Sequence, residues 1–507
     1  AIRNEGEVLV TNRVGSTGTY IALSGNSAVG SGGAIANVDG ATLEVQDISL
    51  APTSTRVDID GNVAGADGGG IPNGSGTVVL SGREDGASHD VYLDSNSAVG
   101  DGGAVHNTSG SVTLGCRAFT RYGSATRGGD VFNGSGSLTF AGGGIEGGSA
   151  TGDGGGLHND KSGKVTVEAG ACGTRGSIAG ATAGGRGGGM YNLGTVSVPV
   201  DATLSIDGAD KGRDASSGGG IAQAGGSFDV AGTLTLGSLV AEKDGGGIEI
   251  TGGSFTTSEA GAVGITKTTS GSSGGGIAVT GGSLDATVRI DSSSSSRGGG
   301  LAVAGSGTAS LRQSSVMNNS ASSGAGADVQ LGGSLTALNT TFGRNTAMKG
   351  GGGAVNVMGG SLSLRFVTVA DNAPDGVRSD TGVGFSAVLM ARNAGVNCGN
   401  AASSGGDRNV FDDATCAPTG EDLDDSDRFD DVADLLEADP TTGDQDSYDL
   451  SAGHPAIDRV SGKGCGDPAV DQNGSSRPLD GDGDGAEDCD AGAVEAPSGK
   501  ATSLHTI

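Results

Sequence analysis

The sequence predicts an all-β fold: a right-handed, single-stranded parallel β-helix (solenoid) followed by a smaller Asp-rich, disulfide-bearing C-terminal module. Three observations predict it: glycine clusters that recur roughly every 25 to 35 residues, short strands of apolar–polar alternation between them, and a change of texture past residue 395. Residues 1–395 are expected to form the repeat body, 396–496 a capping module and 497–507 a tail.

The clusters align as Gly32-Gly33-Ala34-Ile35, Gly68-Gly69-Gly70-Ile71, Gly102-Gly103-Ala104-Val105, Gly154-Gly155-Gly156-Leu157 and onward to Gly351-Gly352-Gly353-Ala354-Val355. A polar segment such as Asn96-Ser97-Ala98 precedes the cluster. One aliphatic residue follows it, then often an Asn two places later, a turn, and an alternating strand such as Thr42-Leu43-Glu44-Val45 or Ser361-Leu362-Ser363-Leu364. One such unit cannot bury its apolar face alone, so neighbours have to stack, with parallel strands about 4.8 Å apart. About fourteen coils at that rise make a rod on the order of 65 Å long. Glycine at the cluster permits a sharp corner and close backbone approach. Asn4, Asn37, Asn107, Asn133, Asn159 and Asn192 share one repeat position, where a stacked asparagine ladder satisfies the turn.

Composition agrees. The 507 residues include 104 Gly, 3% aromatics and no Trp, which would starve an ordinary globular core of large side chains. Disorder is excluded by a charged fraction of only 17% and by the recurring Val/Ile/Leu runs. A net charge of −30 argues against nucleic acid and anionic membranes as partners, because phosphates would be repelled. No apolar stretch approaches the roughly 20 residues that span a bilayer, so no membrane insertion is expected. The chain starts at Ala1 without Met, as a mature or trimmed form would, and the expected location is secreted, extracellular or at the cell surface.

The units GNSAVGSGGAIAN (25–37) and SNSAVGDGGAVHN (95–107) resemble the GGAI-type repeats of bacterial surface β-helix proteins, including the polymorphic outer membrane proteins. The segment from Asn397-Cys398 and Asp413-Ala414-Thr415-Cys416, through Pro455-Ala456-Ile457-Asp458, Asp471-Gln472 and Arg477-Pro478, to DGDGDGAEDCDAGAVE (480–495) resembles the C-terminal domain of bacterial choice-of-anchor β-helix proteins. In that family the domain closes a secreted β-helix. Counted alone, six cysteines allow fifteen pairings, and their even number suits an exported chain. The resemblance implies disulfides Cys398–Cys416 and Cys465–Cys489, which leaves Cys116 and Cys172, roughly two coils apart, to pair across the β-helix.

Asp480, Asp482 and Asp484, followed by Gly485, Asp488 and Asp490, place carboxylates on alternate residues of a tight loop, as oxygen ligands are gathered around Ca²⁺. A structural Ca²⁺ is the expected cofactor. Ala491 stands where an EF-hand has its bidentate Glu, so the loop is not a full EF-hand. Asp67, Asp101, Asp153 and Asp244 each precede a glycine cluster, but they lie a whole coil apart, unlike the contiguous nine-residue repeat of a calcium β-roll.

Catalytic motifs are weak. Adjacent acids at Asp412-Asp413, Asp424-Asp425 and Asp430-Asp431 fall in the C-terminal module, away from a β-helix face that could hold a sugar between two carboxylates. His106 and His158 share a repeat slot with Phe132 and Tyr191, which reads as outward-facing and variable. A non-enzymatic structural or adhesive protein is therefore expected, with a polysaccharide lyase or other carbohydrate-active enzyme as the alternative. Ala1-Ile2-Arg3-Asn4 reads as the second half of a repeat, so the chain begins inside a coil, either as a fragment of a larger surface protein or with its open coil completed by another copy. Other copies of the chain, joined head to tail in a filament, are the expected partner, together with a surface glycan or cell-envelope component.

Overall fold

The structure, a computed structural model, describes residues 2–12, 20–49, 54–84, 88–169, 172–209, 213–348, 350–400, 408–416, 447–461, 465 and 469–498. Ala1, the acid pairs Asp424-Asp425 and Asp430-Asp431, and nearly all of the tail lie outside the described residues. The fold is all-β, with parallel sheets stacked as the coils of a β-helix, as the sequence predicts. Two compact units divide the chain, Ala1–Gly264 and Ile265–Ile507.

In the first unit, three-residue strands from successive coils form one sheet: Ile2–Asn4, Ile35–Asn37, Ile71–Asn73, Val105–Asn107, Val131–Asn133, Leu157–Asn159, Met190–Asn192, Ile221–Gln223 and Ile248–Ile250. Their register places Ile71, Val105, Val131, Leu157, Met190, Ile221 and Ile248 over one another. All seven are fully buried, so the aliphatic residue after each glycine cluster is the inward-pointing core residue. Longer strands such as Ser111–Leu114 and Ser137–Phe140 make a second face, and Ser88–Asp94 and Ala118–Arg121 a third. Alternation buries every other residue of these strands, at roughly 1.5–3 kcal/mol of transfer free energy per Val or Leu before entropy is set against it.

The asparagine position is a continuous hydrogen-bond chain. Each Nδ2 donates to the Oδ1 one coil on, from Asn37 to Asn73 (2.8 Å), Asn107 (2.9 Å), Asn133 (2.8 Å), Asn159 (2.8 Å) and Asn192 (2.7 Å). Asn192 closes the run on Gln223 Oε1 at 2.8 Å. Each amide also holds its own turn, as Asn107 Nδ2 does by donating to Gly110 O at 3.0 Å.

In the second unit the same short strands recur as Ile277–Val279, Leu301–Val303, Ala327–Gln330, Val355–Met358 and Val377–Ser379. Two faces merge into ten-residue strands, Thr308–Met317, Ser334–Gly343 and Ser361–Ala370. Each turns its corner at a residue with positive φ: Gln313 (45°), Asn339 (48°) and Phe366 (50°). Parallel pairing continues past residue 395, through Cys398–Gly399 and Val410–Phe411.

The C-terminal segment lies along these coils. Asn339 Nδ2 donates to Val470 O (2.6 Å), Thr341 Oγ1 to Gln472 Oε1 (2.6 Å), Ala493 N to Thr368 Oγ1 (2.9 Å) and Gly492 N to Ala387 O (2.9 Å). Tyr448, Leu450, Ala456, Ala491 and Ala496 pack on Met317, Ala370, Leu389, Ala391 and Val410. Disulfides join Cys398 to Cys416 and Cys465 to Cys489 within this unit, with Cα–Cα distances of 4.8 and 5.8 Å. In the first unit Cys116 is bonded to Cys172, Cα–Cα 5.1 Å. Gly142 stands beside this bridge: a Cβ there would come within 3.1 Å of the Cys172 Cβ and 3.4 Å of the Cys116 Cα.

Candidate functional site

Two places carry the chemistry, the acidic loop of the second unit and the outer side of the first unit's short-strand sheet. In the loop, Asp480 and Asp482 come together with Asp458, their ligand oxygens all within 4.8 Å of one another. Asp458 was not in the sequence-derived set. It lies near the antiparallel contact between Val460 and Cys489, which folds residues 458 and 480–490 onto each other. Its Oδ2 accepts from Asp482 N at 2.7 Å, and Asp480 Oδ1 accepts from Gly483 N at 2.7 Å. The oxygen-only donor set fits a hard cation such as Ca²⁺.

The other three predicted ligands do not join that cluster. Asp484 Oδ1 accepts from Ala486 N at 2.8 Å in its own turn, and Asp488 pairs through its backbone with Leu479. Asp490 is turned inward and buried, its Oδ1 accepting from Asp458 N (2.8 Å) and its Oδ2 from Ala496 N (2.5 Å). There it belongs to a buried charged group with Arg477 and Glu495, whose Nε and Oε1 are 3.0 Å apart with both side chains inaccessible. Burial pushes the carboxyls of Asp490 and Glu495 well above the ordinary range and pushes the Arg477 guanidinium down, while the ion pair opposes each shift.

On the first unit, the slot that the sequence marks as outward-facing and variable is a stack of rings. His106, Phe132, His158 and Tyr191 follow one another at centroid distances of 5.0, 5.0 and 4.9 Å. Arg127 lies over Phe132 (4.7 Å) and Arg186 over Tyr191 (5.0 Å), with Arg186 Nη2 also donating to the Tyr191 hydroxyl at 2.8 Å. The rings face outward and are nonetheless covered: Phe132, His158 and Tyr191 are 5%, 2% and 6% exposed. Part of the reason is that each glycine turn lies flat on the strand it precedes. A Cβ on Gly154 would come within 2.5 Å of Leu157 O and 2.9 Å of His158 N. Burial lowers the pKa of His158, with Arg127 adding to the shift and a backbone contact at Asp153 opposing it, which favours the neutral imidazole. A shallow cavity of about 340 Å³ opens beside the stack, lined by His106, Phe132, Asp160 and Lys161 among others.

A hydroxyl, an imidazole and a carboxylate also meet in the first unit. Thr55 Oγ1 donates to Asp47 Oδ2 at 2.8 Å and lies 2.7 Å from His89 Nδ1. All three residues are buried.

Glu249 gives the face a pH response. Burial raises its carboxyl from 4.5 to about 7, against the pull of Arg186, and its Oε2 has no hydrogen-bond partner. The folded chain therefore favours the protonated form, and this contribution is complete below about pH 4.5 and lost as the pH rises through about 7. Glu249→Gln is expected to remove that slope and to stabilise the chain at pH 8 by up to about 3 kcal/mol. Parallel urea titrations of both proteins at pH 5 and pH 8 measure the difference, and equal pH dependence would refute it.

Comparison of the chain with protein families, with curated proteins and with solved structures finds no match.

Proposed function

We propose that this chain is a secreted or surface-exposed β-helix protein with a structural or adhesive role and no catalytic one. The observation that carries this is the fate of its charged side chains. Asp90 meets Arg117, Asp94 meets Arg121 and Asp101 meets Arg127 in the first unit, as Asp285 meets Arg312 and Asp371 meets Arg392 in the second. Each pair joins one coil to the next. Such partly exposed pairs contribute little stability, about 0–1 kcal/mol each, but they keep the register and occupy the arginines that an acidic polysaccharide would need. Three disulfides suit an oxidising compartment outside the cell. Ca²⁺ at Asp458, Asp480 and Asp482 would brace the C-terminal segment.

Self-association through the first coil belongs to the same proposal. Among the described residues Ile2–Asn4 is the outermost strand of its sheet, and Ile2 and, on the neighbouring strand Glu7–Asn12, Leu9 stand 38% and 50% exposed, an apolar surface that a second copy would cover. Electron microscopy and light scattering of the purified chain with Ca²⁺ test it. Linear association that Ile2→Lys/Leu9→Lys abolishes is the expected result, and monodisperse single particles for the unaltered chain would sink it. The cavity beside His106 and Lys161 favours one competing reading, a polysaccharide lyase. Release of unsaturated sugar ends from acidic polysaccharides would establish that activity and overturn the non-catalytic proposal.

A further inference from the structure

The ring stack begins beside a group of ligands whose parts are far apart in sequence. Asp67 and Asp101 precede successive glycine clusters, and stacking sets their coils side by side: Gly68 N donates to Asp101 O at 3.0 Å and Asp101 N to Asp67 Oδ1 at 2.9 Å. The Asp67 carboxylate can lean onto the next coil because residue 100 is glycine, where a Cβ would overlap Asp67 Oδ1. His106 follows on the strand after Asp101. Ligand atoms of Asp67, Asp101 and His106 all lie within 4.8 Å of one another, and all three residues are half-buried.

We propose that Asp67, Asp101 and His106 bind a divalent transition cation of the Zn²⁺ type on the outer face of this sheet. Four features favour a bound cation over a fortuitous contact. The imidazole is held in place, stacked on Phe132 at 5.0 Å with an interplanar angle of 5°, and Thr108 Oγ1 lies 3.4 Å from its Nδ1. Among the described residues the two carboxylates face one guanidinium, that of Arg127, whose Nε and Nη2 bond the two oxygens of Asp101 at 3.0 and 2.5 Å, so the three groups together carry one net negative charge, which favours a cation. The corresponding position three coils on differs: there Asp153 Oδ1 accepts from Arg186 N at 2.8 Å and Tyr191 takes the ring slot, so the coil after Asp153 supplies neither a second carboxylate nor an imidazole. Finally, the donor set mixes one nitrogen with two carboxylates, which suits Zn²⁺ and its neighbours better than Ca²⁺, and leaves a coordination position for water or a partner's ligand. Because Asp67 belongs to one coil and Asp101 and His106 to the next, the cation would tie the two coils together.

Calorimetric titration of the chelator-treated protein with ZnCl₂ tests the site, using Asp480→Asn/Asp482→Asn as a background that disables the acidic loop. Saturable uptake near one equivalent is expected in that background. His106→Gln and Asp67→Asn, which keep side-chain size, should each weaken it about tenfold or more, and excess Ca²⁺ should not displace the Zn²⁺. Thermal melts of the metal-free variants should match the parent, and added Zn²⁺ should raise the melting temperature of the parent alone. No saturable uptake in the loop-disabled background, or uptake that both His106→Gln and Asp67→Asn leave unchanged, would overturn the assignment.

Discussion

Replacing Gly129 by Ala is expected to cost about 3 kcal/mol or more of stability, near the upper limit for one added methyl group. A Cβ at this position would overlap the carbonyl oxygen of Gly155 and the amide nitrogen of Ser149, both main-chain atoms of the following coil. Side chains can swing away from an intruding methyl. Two backbones fixed a strand spacing apart cannot, and the displaced coil is itself paired with the next. Gly264 supplies the control, since a Cβ there meets nothing within 4 Å and its φ is not positive. Gly264→Ala should change stability by no more than about 0.5 kcal/mol. Urea unfolding followed by circular dichroism compares the two, and similar midpoints for both variants would mean that backbone contact at the corners does not limit the packing.

The second large effect is expected at Arg477. Its side chain is wholly inaccessible, lies 4.1 Å from the centre of the Phe366 ring, and donates from Nη1 to Asp490 O (3.3 Å) and from Nη2 to Gly492 O (3.2 Å). Arg477→Met keeps the bulk and strands Glu495 without its cation, an error that costs about 3–5 kcal/mol in buried pairs. The double variant Arg477→Met/Glu495→Leu removes both charges and should recover most of the loss, because a well-packed apolar pair often matches a buried ion pair. Limited proteolysis of the C-terminal segment together with urea unfolding reads both changes. A double variant as unstable as the single one would show that the arginine acts through its carbonyl contacts and not by neutralising Glu495.

Most of the fold was legible because its signal is repeated. Ile35, Ile71, Val105 and their successors are core residues in every coil, and any one of them would have been ambiguous alone. The coil at Gly128-Gly129-Asp130-Val131 escaped the glycine alignment because Asp130 stands where its neighbours have Ala or Gly. That carboxyl is fully buried, its Oδ1 accepting from Gly123 N at 2.9 Å and its pKa raised well above the ordinary value by desolvation.

The sites were less legible, for a physical reason. Proximity in a stacked coil depends on the length of each repeat, and the asparagine contacts span 36, 34, 26, 26 and 33 residues in turn. No fixed spacing could have joined Asp67 to Asp101 and His106. Asp458 was hidden likewise, since an antiparallel contact delivers it to the acidic loop from more than twenty residues upstream. Asp490 looked like one more ligand by alternation, yet the alternation stops before it: residues 489–496 are all buried, and Asp490 goes inward with them to the group that holds Arg477.

The uneven repeat lengths have a consequence for how such a chain can diverge. Asn37 and Asn73 are 36 residues apart and Asn107 and Asn133 only 26, yet both pairs meet with the same 2.8 Å geometry. Ten extra residues are thus absorbed without disturbing the rung-to-rung match. Evolution can lengthen a turn almost at will, or duplicate and delete whole windings, while a single-residue slip inside a three-residue strand would turn an aliphatic side chain outward. The molecule is tolerant of wholesale editing and intolerant of small frame errors.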